Sequence, residues 1–329
     1  MDFEAAILSA KDGFLYLTDE VMASLNVTTE EAIASIEHLL KGQAKNQVWS
    51  NPKSAATLPD GRYIMTTLAA AENPQYFAVK QLVLNPSPVR SDLKQINGVI
   101  TLLDSATGLP LAFMDGNWIT AIRTAGLSAV AAKRMARADS RIVAFIGCGV
   151  QAHSHLQAFL DMFPLEEIRA FGRGAANRDK LCEAAELQGL KAVASPTGQS
   201  AIEGADLIVT SVTLSSSVEP FLDARGVKSG AFAAITDFAL PWIKDSLLTL
   251  DRVMVDDVGQ EIASGSPVID PSHMEGSLQD LVTGDIPPRE NDTDRIAFMF
   301  RGLAVGDLAL AGVAYQKALA AGAGVQITI

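Results

Sequence analysis

The sequence predicts an α/β protein of two domains, one built on a parallel sheet and the other rich in antiparallel strands. Three observations support this prediction. A glycine-rich turn joins an apolar run to a helical pattern at residues 141–152. From residue 141 onward, apolar runs alternate with helical patterns, which is typical of a parallel sheet with helical crossovers. Before that point, short apolar runs are separated by turns at residues 60–61 and 104–110, which is typical of an antiparallel meander.

The composition limits the classes of function to consider. A chain of 329 residues, with 48% hydrophobic and 19% charged residues, is long enough for two domains with buried cores. The formal net charge of −12 argues against a nucleic acid or an anionic membrane as partner. Two cysteines, Cys148 and Cys182, provide neither a disulfide framework nor a cysteine metal site. We see no signal peptide and no apolar run that could span a bilayer, so we expect a cytoplasmic protein.

The first part of the chain predicts a helix and a series of short strands. A strand is expected at residues 14–17. A helix is expected to follow a cap at residues 28–31, in which Thr28 and Glu31 can form a capping box. The apolar residues of this helix recur on one face: Ala32, Ile33, Ile36 and Leu39. Short strands follow over residues 48–115, and a long alanine-rich helix is expected over about residues 118–138.

The second part predicts six strands of a parallel sheet, from residues 142–146 to 251–257. A last helix is expected from about Asp294 to Ala321, followed by a strand at residues 325–329. We expect this helix and strand to return to the first domain. The predicted organisation is therefore a discontinuous, β-rich α+β domain of residues 1–124 with 305–329. Residues 125–304 form the second domain.

The glycine turn reads G-x-G-x-x-A, in the order strand, turn, helix. Gly147 permits a tight turn, Gly149 leaves room for a pyrophosphate, and Ala152 stands where a third glycine often lets helix and strand pack. At the head of a parallel sheet, this turn indicates a Rossmann dinucleotide-binding domain. Arg173 ends the second strand, where NAD-specific proteins usually carry an acidic residue, and therefore favours the 2′-phosphate of NADP(H). The alternative is a solvated arginine at a strand end.

Three charged residues lie in apolar surroundings. Lys80 interrupts an apolar strand, and a buried lysine needs an anion, although an edge-strand lysine facing solvent would look the same. Arg123 is similarly isolated on an apolar helix. Asp237 ends the fifth parallel strand, where it could transfer protons or cap a helix. His153 and His155 are two residues apart, a spacing that favours surface or packing roles over a metal pair.

These features occur in an order that resembles the ornithine cyclodeaminase/mu-crystallin family over nearly the whole chain. They are Lys80, the D-S-x-T-G-x-P turn at residues 104–110, the T-x-x-R-T-A helix start, the G-x-G-x-Q-A turn, Asp237, and the closing GLAVGDLALAGVAYQKALAAGAG. The resemblance implies a homodimer with a Rossmann domain that binds NAD(P). It also implies that the β-rich domain binds the substrate and forms the dimer.

The resemblance also implies roles for individual residues. Lys80 and Arg123 match cations around a substrate carboxylate, and Lys53 stands near a family arginine. Asp237 matches the catalytic aspartate, with Lys80 as a second catalytic candidate. The cofactor-binding candidates are Arg123, Thr124, Gly147, Gly149, Val150, Gln151, Arg173, Thr213 and Asp237.

The resemblance implies an enzyme that reduces a small imino acid to an α-amino acid with NAD(P)H. Tyr63 stands where cyclodeaminases carry a glutamate for the distal amine, which argues against ornithine as the substrate. Arg301 replaces a small or apolar residue and could bind a second carboxylate, unless it is a solvated helix arginine. These two departures favour iminosuccinate, reduced to aspartate. The alternatives are cyclic ketimine reduction, ornithine cyclodeamination and ligand binding without turnover.

Overall fold

The computed structural model describes residues 13–85, 93–213 and 218–328. The chain divides into two compact units. The first contains the described residues up to Arg123 and those from Leu303 onward, and the second is Thr124–Gly302. The sequence-based boundaries were 124/125 and 304/305, and the divisions lie at 123/124 and 302/303.

The first unit combines an eight-stranded sheet with helices. Its strands are β1 (Phe14–Leu17), β2 (Val48–Ser50), β3 (Ser54–Thr57), β4 (Tyr63–Glu72), β5 (Gln75–Leu84), β6 (Ile96–Asp104), β7 (Pro110–Asp115) and β16 (Val325–Ile327). Its helices are α1 (Asp19–Ser24), α2 (Thr29–Ala44), the first part of α3 (Gly116–Met135) and α10 (Ala304–Ala321).

The sheet of the first unit runs in the order β16-β1-β7-β6-β5-β4-β2, and β3 also pairs with β4. The predicted antiparallel meander is confirmed from β2 to β7. The pair β1 and β7 is parallel, which the sequence analysis did not anticipate. On one face, which we call the inner face, Lys80 of β5 stands opposite Thr67 of β4. Helix α10 packs on this face and also contacts α2.

Side chains set the starts of two helices. The predicted capping box before α2 is confirmed: the Glu31 amide donates to the Thr28 hydroxyl, and the Thr28 amide donates to the Glu31 carboxylate. The four residues predicted for its apolar face are buried. The Asp115 carboxylate accepts from the amides of Asn117 and Trp118, so α3 begins at Gly116, two residues before the predicted start.

The second unit is a parallel sheet with helical crossovers. Its strands are β8 (Ile142–Ile146), β9 (Glu167–Phe171), β10 (Lys191–Ala194), β11 (Leu207–Thr210), β12 (Phe232–Ile235), β13 (Arg252–Val255), β14 (Gly276–Ser277) and β15 (Ile296–Met299). Its α-helices are the rest of α3, α4 (Val150–Leu160), α5 (Ala175–Leu187), α6 (Gly198–Ile202), α7 (Lys244–Leu247), α8 (Val258–Ala263) and α9 (Leu278–Thr283), with short 3-10 helices at Ala224–Gly226 and Pro271–His273.

The strand order is β10-β9-β8-β11-β12-β15-β13-β14. The order of the first five strands is that of a Rossmann sheet: β8, β9 and β10 follow one another towards one edge, and β11 and β12 follow towards the other. The strand order therefore switches between the neighbouring parallel strands β8 and β11. Ligands bind at such a switch point because the loops after the two strands diverge. The predicted parallel Rossmann sheet is therefore confirmed.

One predicted element is wrong. The last helix, expected from about Asp294, begins at Ala304, and Ile296–Met299 instead form the central strand β15. This strand pairs with β12 and β13, and its four residues are at most 1% exposed. A short apolar run that is buried on both faces has no periodicity to separate strand from helix.

Among the described residues, no helix has both the length and the apolar character needed to cross a membrane.

Candidate active site

The glycine turn after β8 forms a cradle for a phosphate group. Gly147 has φ +91°, and a Cβ atom at this position would lie 2.6 Å from the Ser211 carbonyl oxygen. Gly149 precedes α4, no side chain caps the helix there, and an added Cβ would meet no protein atom within 4 Å. The amides at this helix start therefore border open space, an arrangement that fits the pyrophosphate of a dinucleotide.

Other cofactor candidates surround this turn. The Gly147 amide donates to the Phe171 carbonyl at 2.9 Å, which holds the end of β9 beside the turn, and Arg173 follows two residues later with an exposed side chain. Val150 is 64% exposed at the start of α4, and Gln151 is half-buried behind it. Thr213 follows β11, the strand next to β8, and is half-buried. The structure thus brings these candidates to one edge of the sheet, whereas Thr124 lies buried on α3.

Asp237 lies at the same sheet edge, two residues after β12, and is 1% exposed. Its Oδ1 accepts a hydrogen bond from the Thr210 hydroxyl at 2.9 Å, and its Oδ2 accepts one from the Val212 amide at 3.0 Å. Burial raises the pKa of the Asp237 carboxyl to about 7, although these hydrogen bonds favour the charged form. A carboxyl that titrates near neutral pH can both donate and accept a proton under physiological conditions.

The surroundings of Asp237 are held by an unusual turn and a tryptophan. Phe238 and Ala239 have φ values of 57° and 56°, a left-handed conformation that is costly for two successive non-glycine residues. Trp242 is 1% exposed, and its indole N–H points to the Thr210 hydroxyl oxygen at 3.4 Å. The Thr210 hydroxyl has one proton, which it donates to Asp237, so Trp242 supports the donor and not the carboxyl itself.

The first unit contains a buried cluster of charges on the inner face of its sheet. Lys80 Nζ lies 2.6 Å from Asp307 Oδ1, and Arg123 Nε lies 3.1 Å from the same oxygen, without hydrogen-bond alignment. The Thr67 hydroxyl donates to Asp307 Oδ2 at 3.0 Å. The four residues, which we call the cationic cluster, are each at most 7% exposed. Removing one partner of such a buried pair costs roughly 3–5 kcal/mol.

Asp307 changes the interpretation of Lys80. The sequence analysis took a buried lysine to need an anion, and the burial of Lys80 is confirmed at 1% exposure. The anion in contact with it is a carboxylate of this chain, so the burial of Lys80 does not by itself require a ligand. Burial, with the charges of Arg123 and Lys53, lowers the pKa of Lys80 to about 7, against the opposing effect of Asp307.

Arg301 is paired within the second unit. Its Nε lies 2.9 Å from Glu261 Oε1, again without hydrogen-bond alignment, and its guanidinium carbon lies 5.1 Å from the centre of the Phe238 ring. It also donates to the Ser266 carbonyl. The Glu261 side chain is fully buried, so the Arg301 charge already has an internal counter-ion. A solvated arginine, one of the two alternatives considered from the sequence, does not describe this half-buried, paired side chain, and the binding of a second carboxylate stays a prediction.

His155 and Cys148 have packing roles. The two ring nitrogens of His155 lie 2.7 Å from the Gln151 carbonyl and 2.9 Å from the Ser128 hydroxyl, and burial lowers its pKa to about 4. Burial raises the pKa of the Cys148 thiol to about 11. A neutral imidazole matches the packing role predicted for His155, and the buried, protonated Cys148 thiol packs in the same way.

Several residues of these networks were missed in the sequence, among them Asp307, Thr67, Thr210 and Glu261. Asp307 carried a usable signal, since it is a lone acid in the apolar segment 303–315, as Lys80 is a lone base in its strand. Thr210 and Glu261 carried none, because a threonine at a strand end and a glutamate in a short helix are common.

Comparison with known proteins identifies the family of the chain. The sequence profile of the ornithine cyclodeaminase/mu-crystallin family matches residues 12–322. The mouse ketimine reductase mu-crystallin is 34% identical over 66% of this chain and 68% of its own. The structure of Thermococcus litoralis Δ1-pyrroline-2-carboxylate reductase, in complex with NADH and L-proline, is 26% identical, with a TM-score of 0.87 over 95% of this chain and all of that one. The structure of an archaeal alanine dehydrogenase dimer with bound NAD is 26% identical, with a TM-score of 0.84 over 96% and 99% of the two chains.

The expectation of an NAD(P)-dependent oxidoreductase is confirmed, and the chain belongs to the ornithine cyclodeaminase/mu-crystallin family.

Proposed function

We propose that this protein reduces the C=N bond of a small α-imino acid to give an α-amino acid. The observation that carries the proposal is Asp237, a buried carboxyl whose pKa is raised to about 7, at the sheet edge that holds the dinucleotide turn. Reduction of an imine requires a hydride at carbon and a proton at nitrogen. A bound NAD(P)H supplies the hydride, and Asp237 is the residue with a proton to give.

Asp237 is assigned the transfer of the proton to the imine nitrogen. Its Oδ1 accepts a hydrogen bond from the Thr210 hydroxyl and its Oδ2 one from the Val212 amide, two donors that favour the charged form. After the transfer, the same two donors stabilise the carboxylate that remains. The donors are already in place, so little reorganisation is needed when the charge appears.

Lys80 and Arg123 are assigned to the substrate carboxylate. Two cations share one acidic partner in the cationic cluster, so positive charge remains for a further anion. Lys53 lies between β2 and β3, and its charge acts on Lys80, which supports the sequence-based assignment of a third cation to this region. Such a group of cations would orient an imino acid and favour it over neutral imines.

The choice of substrate depends on Arg301. Iminosuccinate was favoured because Arg301 could bind a second carboxylate, but Glu261 already matches its charge. The geometry therefore favours an imino acid with one carboxylate, and iminosuccinate is the second candidate. The relatives with cyclic imine and alanine activities support the first choice.

A turnover assay tests the proposal. Oxidation of NADH and of NADPH is followed with Δ1-pyrroline-2-carboxylate, with pyruvate plus ammonia, and with iminosuccinate. We expect turnover of a monocarboxylate imine, and a loss of about 100-fold or more in kcat for Asp237→Asn, with cofactor affinity nearly unchanged. Binding of cofactor without turnover of any imine would contradict the proposal. Turnover of iminosuccinate alone, with a raised KM in Arg301→Met, would make the dicarboxylate iminosuccinate the first candidate substrate again.

We propose NADPH as the favoured cofactor because of Arg173, which lies exposed beside the glycine turn. In the same assay, Arg173→Asp should lose affinity for NADPH more than for NADH. Equal losses for both cofactors would remove this assignment.

We further propose a homodimer formed through the face of the first sheet opposite the inner face, which we call the outer face. Ile64 and Val83 stand opposite each other there, each 38% exposed, and Tyr16 is 40% exposed. Several exposed large apolar side chains on one face of a sheet are typical of an interface. The archaeal alanine dehydrogenase described above is a dimer, which supports the proposal.

A further inference from the structure

Asp307 occupies an unusual position for a carboxylate. It lies in the first turn of α10, where the positive end of the helix dipole favours a negative charge, and it is 2% exposed. Its Oδ1 faces both cations, whereas its Oδ2 accepts the Thr67 hydroxyl. Both oxygens are thus engaged, and the carboxylate joins residues from β4, β5 and α3.

Among the residues that the structure describes, the charges around Asp307 do not balance. Lys80 and Arg123 are both in contact with it, so one positive charge remains when Lys80 is protonated. The two cations differ in access: the Lys80 side chain is 0% exposed, and that of Arg123 is 8% exposed. An incoming anion would therefore meet Arg123, and Lys80 would respond to it through charge.

We propose that Asp307 is a positioning residue: its carboxylate holds Lys80 and Arg123 together and cancels one of their two charges, so that the cationic cluster accepts a substrate group with a single negative charge. The inference rests on the proposed role of this cluster in binding the substrate carboxylate. It adds the reason why one carboxylate, and not two, is taken up there.

The proposal links binding to a proton. The charged groups that act on Lys80 are Arg123 from α3, Asp307 from α10 and Lys53 from the segment between β2 and β3, while β4 contributes the uncharged Thr67. Together with burial they leave the pKa of Lys80 at about 7. A bound carboxylate would raise this pKa, so Lys80 takes up a proton when the ligand binds above neutral pH.

Calorimetry of the full chain with propionate tests the inference without turnover. Titrations in two buffers whose ionisation enthalpies differ, HEPES and Tris at pH 8 and MES and imidazole at pH 6, give the number of protons taken up. We expect most of one proton at pH 8 and little at pH 6, with affinity falling by up to about tenfold per pH unit above 7. The pKa of Asp237 is also about 7, so two variants are needed to identify the residue that takes up the proton. Lys80→Met should abolish the proton uptake and Asp237→Asn should retain it.

Asp307→Asn tests the carboxylate directly. Loss of the Asp307 carboxylate removes the group that raises the pKa of Lys80. The uptake of a proton on propionate binding should therefore begin at least about one pH unit lower. Thr67→Val keeps the three charged residues of the cluster and is the matched control. It should shift the pH profile of proton uptake much less.

Three results would overturn the inference: no binding of propionate at pH 6, binding at pH 8 without proton uptake, or an unchanged profile in Asp307→Asn. If Asp307→Asn fails to fold, propionate binding at pH 6 and proton uptake at pH 8, both measured on the unmodified protein, still test the inference. Propionate binding with proton uptake but without imine turnover would support the role of Asp307 and contradict the proposed reductase activity.

Discussion

Two opposing physical effects act on the Asp237 carboxyl. Burial favours the neutral acid, whereas the Thr210 hydroxyl and the Val212 amide favour the carboxylate, and the balance leaves the pKa at about 7. An isolated aspartate at neutral pH would have almost no proton to give. The position of this balance therefore decides at which pH the residue can act as an acid.

The pH profile of reduction should follow this balance. In the unmodified protein, kcat should fall as the pH rises through about 7, because Asp237 loses the proton that we propose it donates. Thr210→Val removes a donor to the charged form, so the fall should move upward by roughly one pH unit, the equivalent of one hydrogen bond to a charged group. Thr210→Ser, which keeps the hydroxyl, is the control. A profile that does not move in Thr210→Val would show that another group limits kcat.

Single residues could be predicted where chemistry and context conflict. Lys80, Arg123 and Asp237 were identified because each is a charge in an apolar segment, and all three are buried. Their partners could not be identified in the same way. Lys80 and Asp307 are 227 positions apart, and only the folded chain shows which acid meets which base. Arg301 is a further example, since its charge was visible in the sequence but its partner Glu261 was not.

The turn between β8 and α4 shows how two glycines of one element serve different purposes. Gly147 adopts a left-handed φ and touches the Ser211 carbonyl, so the fold itself requires glycine there. Gly149 has φ −88° and open space around its Cα, so the fold would accept a side chain. What a side chain at Gly149 would obstruct is the approach of a phosphate to the helix start.

The two positions should therefore respond differently to alanine. Gly149→Ala should leave Tm within a degree or two while weakening NADH binding by about tenfold or more, since the methyl group intrudes on the pyrophosphate. Gly147→Ala should lower the free energy of unfolding by at least about 1–2 kcal/mol, the cost of a left-handed alanine. Thermal unfolding and fluorescence titration with NADH measure both quantities. Equal effects of the two variants on Tm would contradict this division.

At the level of elements, sequence patterns succeeded where local rules decide. The capping box of α2 and the turn after β8 follow from neighbouring residues, and both are confirmed. The strand β15 was misassigned because its identity depends on β12 and β13, which lie far away in sequence and flank it in the sheet. The parallel pairing of β1 with β7 is likewise decided by a long-range contact.

At the level of the whole molecule, the outer face of the first sheet is a surface that a single chain leaves exposed. Ile64 and Val83 would be costly to leave in water, and pairing with a second copy would bury them. A homodimer of this kind would stabilise the first unit, because folding and association are linked by mass action.

Light scattering coupled to size exclusion tests the homodimer. The unmodified protein should elute with twice the chain mass of 34.8 kDa. The double variant Ile64→Arg, Val83→Arg should elute as a monomer, since four like charges would face one another across the interface. Leu187→Arg is the control, because Leu187 is 81% exposed on α5 in the other unit and should leave the mass unchanged. A dimer that survives the double variant would place the interface elsewhere.

The return of α10 to the first unit has a consequence for the order of events during translation. Lys80 and Arg123 leave the ribosome long before Asp307, so the nascent first unit carries two cations without their counter-ion. The whole of Thr124–Gly302 is synthesised in that interval and can begin to fold by itself. The first unit gains its central ion pairs only when the last helix arrives. A chain that has emerged from the ribosome only as far as residue 302 would therefore hold a complete second unit and an unfinished cationic cluster.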